Sequence, residues 1–223
     1  MIITKTPFRV SFCGGGTDFP DFYKKYSGQV LSTTIDKYMY ILVKKQTGII
    51  EHKYKIHWNK TEFQNHISQI NHPIIKKTLQ YFKINYPIEI SSYSDIPAST
   101  GLGSSSAFTV GLVKALCALQ KKPMTKKKIS EIASKIEVDL VKRRIGRQDH
   151  YATCYGGLNH ITFFKDDSVK VRKVVISKKN KKKLENSLAL VYTNMKRNAD
   201  KVLSHQYKPN KDQTKHLLSI KEN

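Results

Sequence analysis

The sequence has little acidic charge, few cysteines and no long apolar run. Only 17 Asp and Glu residues oppose 40 Lys and Arg residues, which gives a formal net charge of +23. No stretch approaches the roughly 18 consecutive apolar residues of a membrane-spanning helix, so we expect no membrane segment. The three cysteines, Cys13, Cys117 and Cys154, are scattered without a CxxC pair. That pattern favours reduced thiols and gives no support to a structural zinc site.

The first residues, MIITKTPFRVSF, lack the basic segment and apolar run of a secretory signal peptide. Together with the scattered cysteines, this absence predicts a cytoplasmic protein. Hydrophobic residues make up 39% of the 223-residue chain, which is enough for a folded core and argues against global disorder.

The basic excess raises the question of a nucleic-acid partner, because Lys and Arg neutralise phosphate charges additively. The lysines are spread along the chain, with short runs at 126–128 and 178–183, and no recognisable nucleic-acid-binding motif accompanies them. We therefore favour solvated lysines on a basic enzyme over nucleic-acid binding. An acidic, phosphate-bearing substrate would also be attracted to such a surface.

Hydrophobic periodicity predicts strands and helices in mixed order, which indicates an α+β fold. Strands are expected at 2–13, 30–35, 38–45, 49–58, 86–94, 158–164, 168–177 and 187–194. Helices are expected near 20–26, at 64–82 with an interruption near Pro73, at 107–120, at 126–143 with Thr125 as its cap, and from about Ala199 onward.

The segment DIPASTGLGSSSAF, residues 95–108, joins a predicted strand to a predicted buried helix. A helix that begins between Gly103 and Ser106 presents unpaired backbone N–H groups and the positive end of its dipole. Gly101 and Gly103 permit a close approach, so the turn is a candidate anion cradle. It is not a Walker A loop, because no lysine follows the glycines. The alternative is a helix cap followed by a packing contact between small residues.

Three further features bear on that choice. The segment PFRVSFCGGGTDFP, residues 7–20, combines a basic residue, a glycine loop and Asp18. Glu137 lies on a predicted helix whose neighbouring face is apolar, where a carboxylate could hold Mg²⁺ or could simply be solvated. The segment GRQDHYATCYGG, residues 146–157, places Asp149 where it could accept a proton from a hydroxyl or cap a helix.

These motifs resemble those of a known family. PASTGLGSSSA is similar to the phosphate-binding motif of the GHMP kinases, which include galactokinase and mevalonate kinase. The opening TPFRVSFCGGGTDFPDFY and the later GRQDHYATCYGG resemble the sugar-kinase branch, and more narrowly the D-glycero-D-manno-heptose 7-phosphate kinases. The resemblance implies a ribosomal-protein-S5-like N-terminal domain, ATP and Mg²⁺ as cofactors, and transfer of the γ-phosphate to the anomeric hydroxyl of the heptose 7-phosphate.

The resemblance also implies roles for particular residues. Asp149 would activate the sugar hydroxyl with Arg9 beside it, and Ser105 and Glu137 would hold Mg²⁺. The residues expected to bind ATP are Pro97, Ser99, Gly101, Leu102, Gly103, Ser104, Ser105 and Ser106. Those expected to bind the sugar substrate are Gly15, Gly16, Thr17, Asp18, Gln148, Tyr151 and Gly156.

The chain departs from that family in one respect. Family members are usually longer and carry a third glycine-rich motif, whereas no glycine follows Gly157 here. We expect residues 1–186 to form the N-terminal domain and 187–223 to be the start of a truncated C-terminal domain. An apolar surface would then be exposed where further elements should pack, with association, for example as a homodimer, as one consequence.

Two other functions remain open at this point. A GHMP kinase with the same chemistry could act on a free sugar such as galactose or fucose. A truncated, non-catalytic protein could instead use its basic surface to bind nucleic acid or a partner.

Overall fold

A seven-stranded sheet is the centre of the fold. The computed structural model of the protein describes residues 1–193 and 217–219. Its strands are β1 (Ile2–Cys13), β2 (Gly28–Lys45), β3 (Tyr54–His57), β4 (Thr61–Gln64), β5 (Ile88–Ser94), β6 (Asn159–Phe163) and β7 (Val169–Lys173). They run in the order β4-β3-β5-β2-β6-β7, with β1 paired to β2. The β3–β5 pair is parallel and the other pairs are antiparallel.

Six α-helices accompany this sheet in the described part of the chain. They are α1 (Pro20–Tyr26), α2 (Pro73–Tyr81), α3 (Ser104–Leu119), α4 (Lys126–Ser134), α5 (Gln148–Tyr155) and α6 (Lys178–Asn186), with a 3₁₀ turn at Ile67–Gln69 and a π-helix at Lys135–Leu140. The mixed order of strands and helices confirms the α+β prediction.

The largest hydrophobic core lies around α3. Eleven of its 16 residues are buried, and the helix contacts both β1 and β2. The sequence predicts this burial, because apolar residues cover nearly the whole circumference of the helix. α3 therefore fixes the glycine turn that precedes it against the central strands.

Strand β2 is the longest element of the sheet. The sequence predicts two strands at 30–35 and 38–45, but the chain continues through the exposed Asp36 and Lys37 as one strand of 18 residues. β1 pairs along most of it, with register shifts between Pro7 and Arg9 and again between Ser11 and Cys13. Such shifts redirect side chains, and here they flank Arg9.

Several predicted boundaries are wrong. The helix expected at 126–143 ends as α4 at Ser134 and continues as the π-helix, although Thr125 caps it as predicted by accepting a bond from the Lys128 N–H (3.2 Å). The strand expected at 49–58 is reduced to β3, which forms a hairpin with β4.

Near the end of the described region, one other expectation fails. No strand forms over 187–193 in the described part of the chain, and the lysine run at 178–183 lies in α6. The helix expected from about Ala199 falls largely on residues outside the described ones. Within residues 1–193 and 217–219, no helix is long and apolar enough to cross a membrane.

Candidate active site

The turn between β5 and α3 has an unusual backbone. Ser99, Gly101 and Gly103 all have positive φ, at 66°, 77° and 76°. A Cβ on Gly103 would lie 3.2 Å from Arg9 Cγ and 3.5 Å from Asp149 Oδ2. Only glycine therefore combines this backbone conformation with so close an approach to the Arg9–Asp149 pair.

The same turn ends at the N-terminus of α3. Gly103 is the N-cap, and the first turn of α3 contains no acidic residue. The N–H groups that open a helix have no partner within it, and they carry the positive end of the helix dipole. Ser104 and Ser105 are half-buried and Ser106 is buried at this end, whereas Pro97 and Ser99 are exposed on the outer side. The structure thus brings the residues expected to bind ATP together around one anion cradle.

Arg9 and Asp149 form a two-pronged ion pair below the turn. Arg9 Nε lies 2.7 Å from Asp149 Oδ1, and Arg9 Nη2 lies 2.7 Å from Oδ2. The remaining terminal nitrogen, Nη1, donates to the Gly101 carbonyl at 2.7 Å. The Arg9 N–H also donates to the Leu102 carbonyl at 3.1 Å. Arg9 therefore joins the candidate base to the backbone of the glycine turn.

Glu137 is a fully buried carboxylate behind the start of α3. Its Oε1 accepts bonds from Ser105 Oγ and from Arg143 Nη1 (2.8 Å). Its Oε2 lies 3.0 Å from Thr109 Oγ1 and 2.9 Å from His150 Nε2. Burial alone would raise the pKa of Glu137, but His150, Ser105 and Arg143 together lower it to about 2. Glu137 is therefore ionised at neutral pH.

Glu137 lies within the π-helix. Within this segment the Val141 N–H donates to the Ile136 carbonyl, an i→i−5 bond of 2.9 Å. A π-turn rotates the side chains that follow out of the α-helical register, and such turns are frequent at functional sites. Regular helical periodicity over 126–143 could not predict this geometry.

The glycine loop after β1 is held by its own buried side chains. Thr17 Oγ1 lies 2.7 Å from the Gly14 carbonyl and accepts the Gln29 N–H at 3.0 Å. Asp18 accepts the Gly16 N–H at 3.0 Å and the Gln148 N–H at 2.9 Å. Both side chains are almost completely buried, so they fix the conformation of the loop from inside and are not part of its exposed surface.

Asp18 is also unusual electrostatically. Burial raises its pKa to about 6, although the Gln148 N–H opposes that shift. A Cβ on Gly146 would lie 1.9 Å from Asp18 Oδ2, so the chain before α5 requires glycine to pass over this carboxyl group. Asp18 thereby links the glycine loop to the start of α5.

The other residues expected to bind substrate occupy different environments. Gln148 receives a bond from Ser11 Oγ (2.9 Å), donates to Asp18 (3.2 Å) and lies beside Gly15. Tyr151 is buried in a second apolar cluster, and this burial raises its pKa well above the usual range. Gly156 follows the last residue of α5, roughly 10 Å along the helix from Asp149 at 1.5 Å per residue. The structure therefore does not bring Tyr151 and Gly156 to the Arg9–Asp149 pair.

Two residues that sequence reasoning missed complete the site. His150 follows Asp149 in the first turn of α5 and binds Glu137, whereas Asp149 itself binds Arg9. Two consecutive residues of α5 therefore contact the two charged groups of the site, Glu137 and Arg9. Arg143 binds Glu137 from the segment after the π-helix. The sequence shows both residues close to the GRQD motif but carries no signal for their contacts.

The oxygen atoms of Ser105 and Glu137 suit a divalent cation. They already contact each other, and the carboxylate is ionised. A hydroxyl and a carboxylate are ligands that Mg²⁺ accepts, and Mg²⁺ usually takes its remaining ligands from substrate phosphates and water. The donor set therefore fits the predicted cofactor.

Sequence comparison identifies the domain. Residues 71–157 match the family described as GHMP kinases N terminal domain. This range contains the glycine turn, Glu137 and Asp149. The chain therefore carries a GHMP kinase N-terminal domain.

Relatives of this GHMP domain include sugar kinases. The chain is 30% identical over 214 residues to a D-glycero-alpha-D-manno-heptose 7-phosphate kinase of Campylobacter jejuni. This alignment covers 92% of this chain and 63% of that protein. It is 27% identical over 165 residues to a galactokinase of Thermotoga petrophila, and this alignment covers 71% of this chain and 45% of the galactokinase. A solved structure of a D-glycero-D-manno-heptose 1-phosphate kinase from Bacteriodes thetaiotaomicron superposes with a TM-score of 0.71 at 26% identity, covering 79% and 61%.

These alignments extend beyond the family match. They confirm the predicted family and the GHMP N-terminal fold. The chain spans about three fifths of the length of the two heptose phosphate kinases that it resembles.

Proposed function

We propose that the protein is an ATP-dependent sugar kinase that phosphorylates the anomeric hydroxyl of D-glycero-D-manno-heptose 7-phosphate to give the 1,7-bisphosphate. The observation that carries this proposal is the closeness of the two halves of the site. A Cβ on Gly103 of the phosphate cradle would lie 3.5 Å from Oδ2 of Asp149, the candidate base. Direct transfer requires such an arrangement, because the attacking hydroxyl and the γ-phosphate must meet in line.

The cradle side supports ATP as the phosphate donor. The open N-terminus of α3, the serine hydroxyls and the absence of acidic residues in its first turn favour a polyphosphate. Ser105 and Glu137 are the proposed Mg²⁺ ligands. When bound, Mg²⁺ would neutralise charge on the phosphates.

The acceptor side supports attack by a hydroxyl. In the reaction the sugar oxygen bonds to the γ-phosphorus, the bond to the bridging oxygen of ADP breaks, and the hydroxyl proton passes to Asp149. Arg9 keeps the carboxylate oriented through two bonds of 2.7 Å. A strong base is not needed here, because the proton is removed late in a loose transition state. An anomeric hydroxyl is more acidic than an ordinary alcohol and asks still less of the base.

The relatives support a heptose phosphate as acceptor. The Campylobacter and Bacteriodes proteins are both named as heptose phosphate kinases, one for a 7-phosphate and the other for a 1-phosphate. The galactokinases align over a smaller part of this chain and support the alternative of a free sugar less strongly. Gly15 is exposed and Gly16 and Gln148 are half-buried, so these three are the sugar-binding residues that we propose at this loop.

The domain organisation is proposed from the resemblance to the GHMP kinases. Residues 1–186 form the GHMP N-terminal domain, and residues from 187 onward begin a second domain. The second range lies mostly outside the described residues. A cytoplasmic location and a homodimer both stay predictions.

The proposed function is tested by ATP-dependent ADP release with Mg²⁺ and a panel of acceptors. The panel contains D-glycero-D-manno-heptose 7-phosphate, galactose and fucose. We expect turnover on the heptose phosphate and at least a hundredfold loss in Asp149→Asn, within the usual contribution of general base catalysis. The exposed Asp36→Asn is the matched control and should retain activity. Turnover on galactose or fucose, but not on the heptose phosphate, would mean that the kinase acts on a free sugar. No turnover by the folded protein, together with salt-dependent nucleic-acid binding, would favour the binding-protein alternative.

A further inference from the structure

Arg143 occupies the position between the two proposed metal ligands. Its Nη1 donates to Ser105 Oγ and lies 2.8 Å from Glu137 Oε1. Ser105 Oγ and Glu137 Oε1 also contact each other. One guanidinium nitrogen thus bridges the pair of oxygen atoms that would hold Mg²⁺ in the proposed kinase.

The backbone after the π-helix brings this side chain back to Glu137. Lys142 has a positive φ of 62°, which reverses the chain. The Arg143 N–H then donates to the Glu137 carbonyl at 3.1 Å. The main chain and the side chain of Arg143 therefore both contact Glu137, and a local turn produces the arrangement.

The two basic side chains on Glu137 differ in their access to solvent. The His150 side chain is fully buried, whereas 24% of the Arg143 side chain is exposed. Part of the Arg143 side chain therefore reaches solvent, which exchange for a metal ion requires, whereas His150 binds the second carboxylate oxygen from a fully buried position.

We propose that Arg143 is an exchangeable internal cation, which holds the divalent-metal position in the nucleotide-free protein and leaves it when metal and nucleotide bind. This inference rests on the proposed role of Ser105 and Glu137 in the kinase site. A buried carboxylate without a cation is strongly destabilised, so Arg143 would protect Glu137 between turnovers. Mg²⁺ binds its oxygen ligands at 2.0–2.1 Å, which leaves no room for the guanidinium nitrogen on the same two atoms. Metal would consequently bind weakly until nucleotide accompanies it.

The inference is tested by titrating the nucleotide-free protein with Mn²⁺ and measuring free Mn²⁺ by electron paramagnetic resonance. We expect Arg143→Gln to bind Mn²⁺ at least about tenfold more tightly than the wild type, because a competing positive charge is removed. The exposed neighbour Arg144→Gln is the matched control and should leave the affinity unchanged. Adding Ser105→Ala to Arg143→Gln should abolish the gain. Equal Mn²⁺ affinity in the wild type and Arg143→Gln would overturn the proposal.

Thermal unfolding separates exchange from a purely structural role. Arg143→Gln should unfold at a lower temperature than the wild type without metal and should recover when Mn²⁺ is added. Loss of stability without recovery would mean that Arg143 only supports the fold. If Arg143→Gln does not fold, wild-type protein labelled with ¹⁵N-arginine replaces it. The Nε–H signal of Arg143, assigned by its loss in Arg143→Lys, should then shift when Mg²⁺ and ADP are added together, and an unchanged signal would refute exchange.

These measurements use no sugar, so they separate this inference from the proposed function. Wild-type protein that binds no Mn²⁺ even with ADP would count against the kinase site itself. Wild-type protein that binds Mn²⁺ with ADP, but has the same nucleotide-free affinity as Arg143→Gln, would count against the exchange alone.

Discussion

The buried carboxylate of Glu137 should make the stability of the protein depend on pH in a defined direction. Its native pKa of about 2 lies below the ordinary value of 4.5. Between these values the unfolded state binds more protons than the native state, so the free energy of unfolding falls as pH falls. The difference corresponds to about 3 kcal/mol, fully present above pH 4.5 and lost as pH falls toward 2.

The prediction is tested with Glu137→Gln. This substitution keeps the shape of the side chain and removes its charge, so it should destabilise the protein by about 3 kcal/mol at pH 7. The difference in unfolding free energy between variant and wild type should narrow by about 2 kcal/mol between pH 4.5 and 3, because Glu137 of the unfolded wild-type chain then binds a proton while the native carboxylate stays ionised. Urea unfolding followed by circular dichroism at several pH values measures this convergence.

The control for that experiment is Glu131→Gln. Glu131 pairs with Lys128 at 3.7 Å on the partly exposed face of α4, where an ion pair contributes little. Its unfolding curve should follow that of the wild type at every pH. If the curves of Glu137→Gln and the wild type run parallel from pH 7 to 3, the account of Glu137 as an ionised, paired carboxylate is wrong.

Three further predictions concern the glycine loops and Asp18. Because burial raises the pKa of Asp18 to about 6, its contribution to stability should be lost as pH rises from 3.8 through 6, and Asp18→Asn should remove this decline in urea unfolding. Gly103→Ala should weaken binding of ADP with Mg²⁺ at least about tenfold by calorimetry, because its Cβ would press on Arg9. Gly101 also has a positive φ, but a Cβ there would meet no atom within 4 Å, so Gly101→Ala should weaken ADP binding less than Gly103→Ala does. An equal loss of affinity in the two variants would contradict this explanation. Gly146→Ala should lower the melting temperature, since its Cβ would overlap Asp18, and an unchanged melting temperature would show that the loop can yield.

Local sequence patterns predicted the parts of the site that depend on short-range order. The transition from β5 through the glycine turn into α3 follows from alternating apolar residues, two glycines and a buried helical stretch. The GHMP motifs then brought Arg9 and Asp149 together in one hypothesis, although 140 positions separate them in sequence, and the structure pairs them.

The remaining features arise from long-range packing, which the sequence pattern does not encode. The π-helix that contains Glu137 keeps the apolar spacing of an ordinary helix, so periodicity predicted α-helix through 143. The contacts of His150 and Arg143 with Glu137 depend on how α5 and the turn at Lys142 pack, and neither leaves a local signal. The segment 187–193 has strand-like composition but no partner strand within the described residues, and it forms no strand.

The proposed reaction is the transfer of phosphate from ATP to the anomeric oxygen of a heptose phosphate at Asp149. The most direct test is ³¹P NMR of the purified protein with Mg²⁺, ATP and D-glycero-D-manno-heptose 7-phosphate. The account predicts that a new anomeric phosphate signal will grow as the γ-phosphate signal declines, and that Asp149→Asn will abolish both changes. An unchanged spectrum from folded wild-type protein that binds ATP would contradict it.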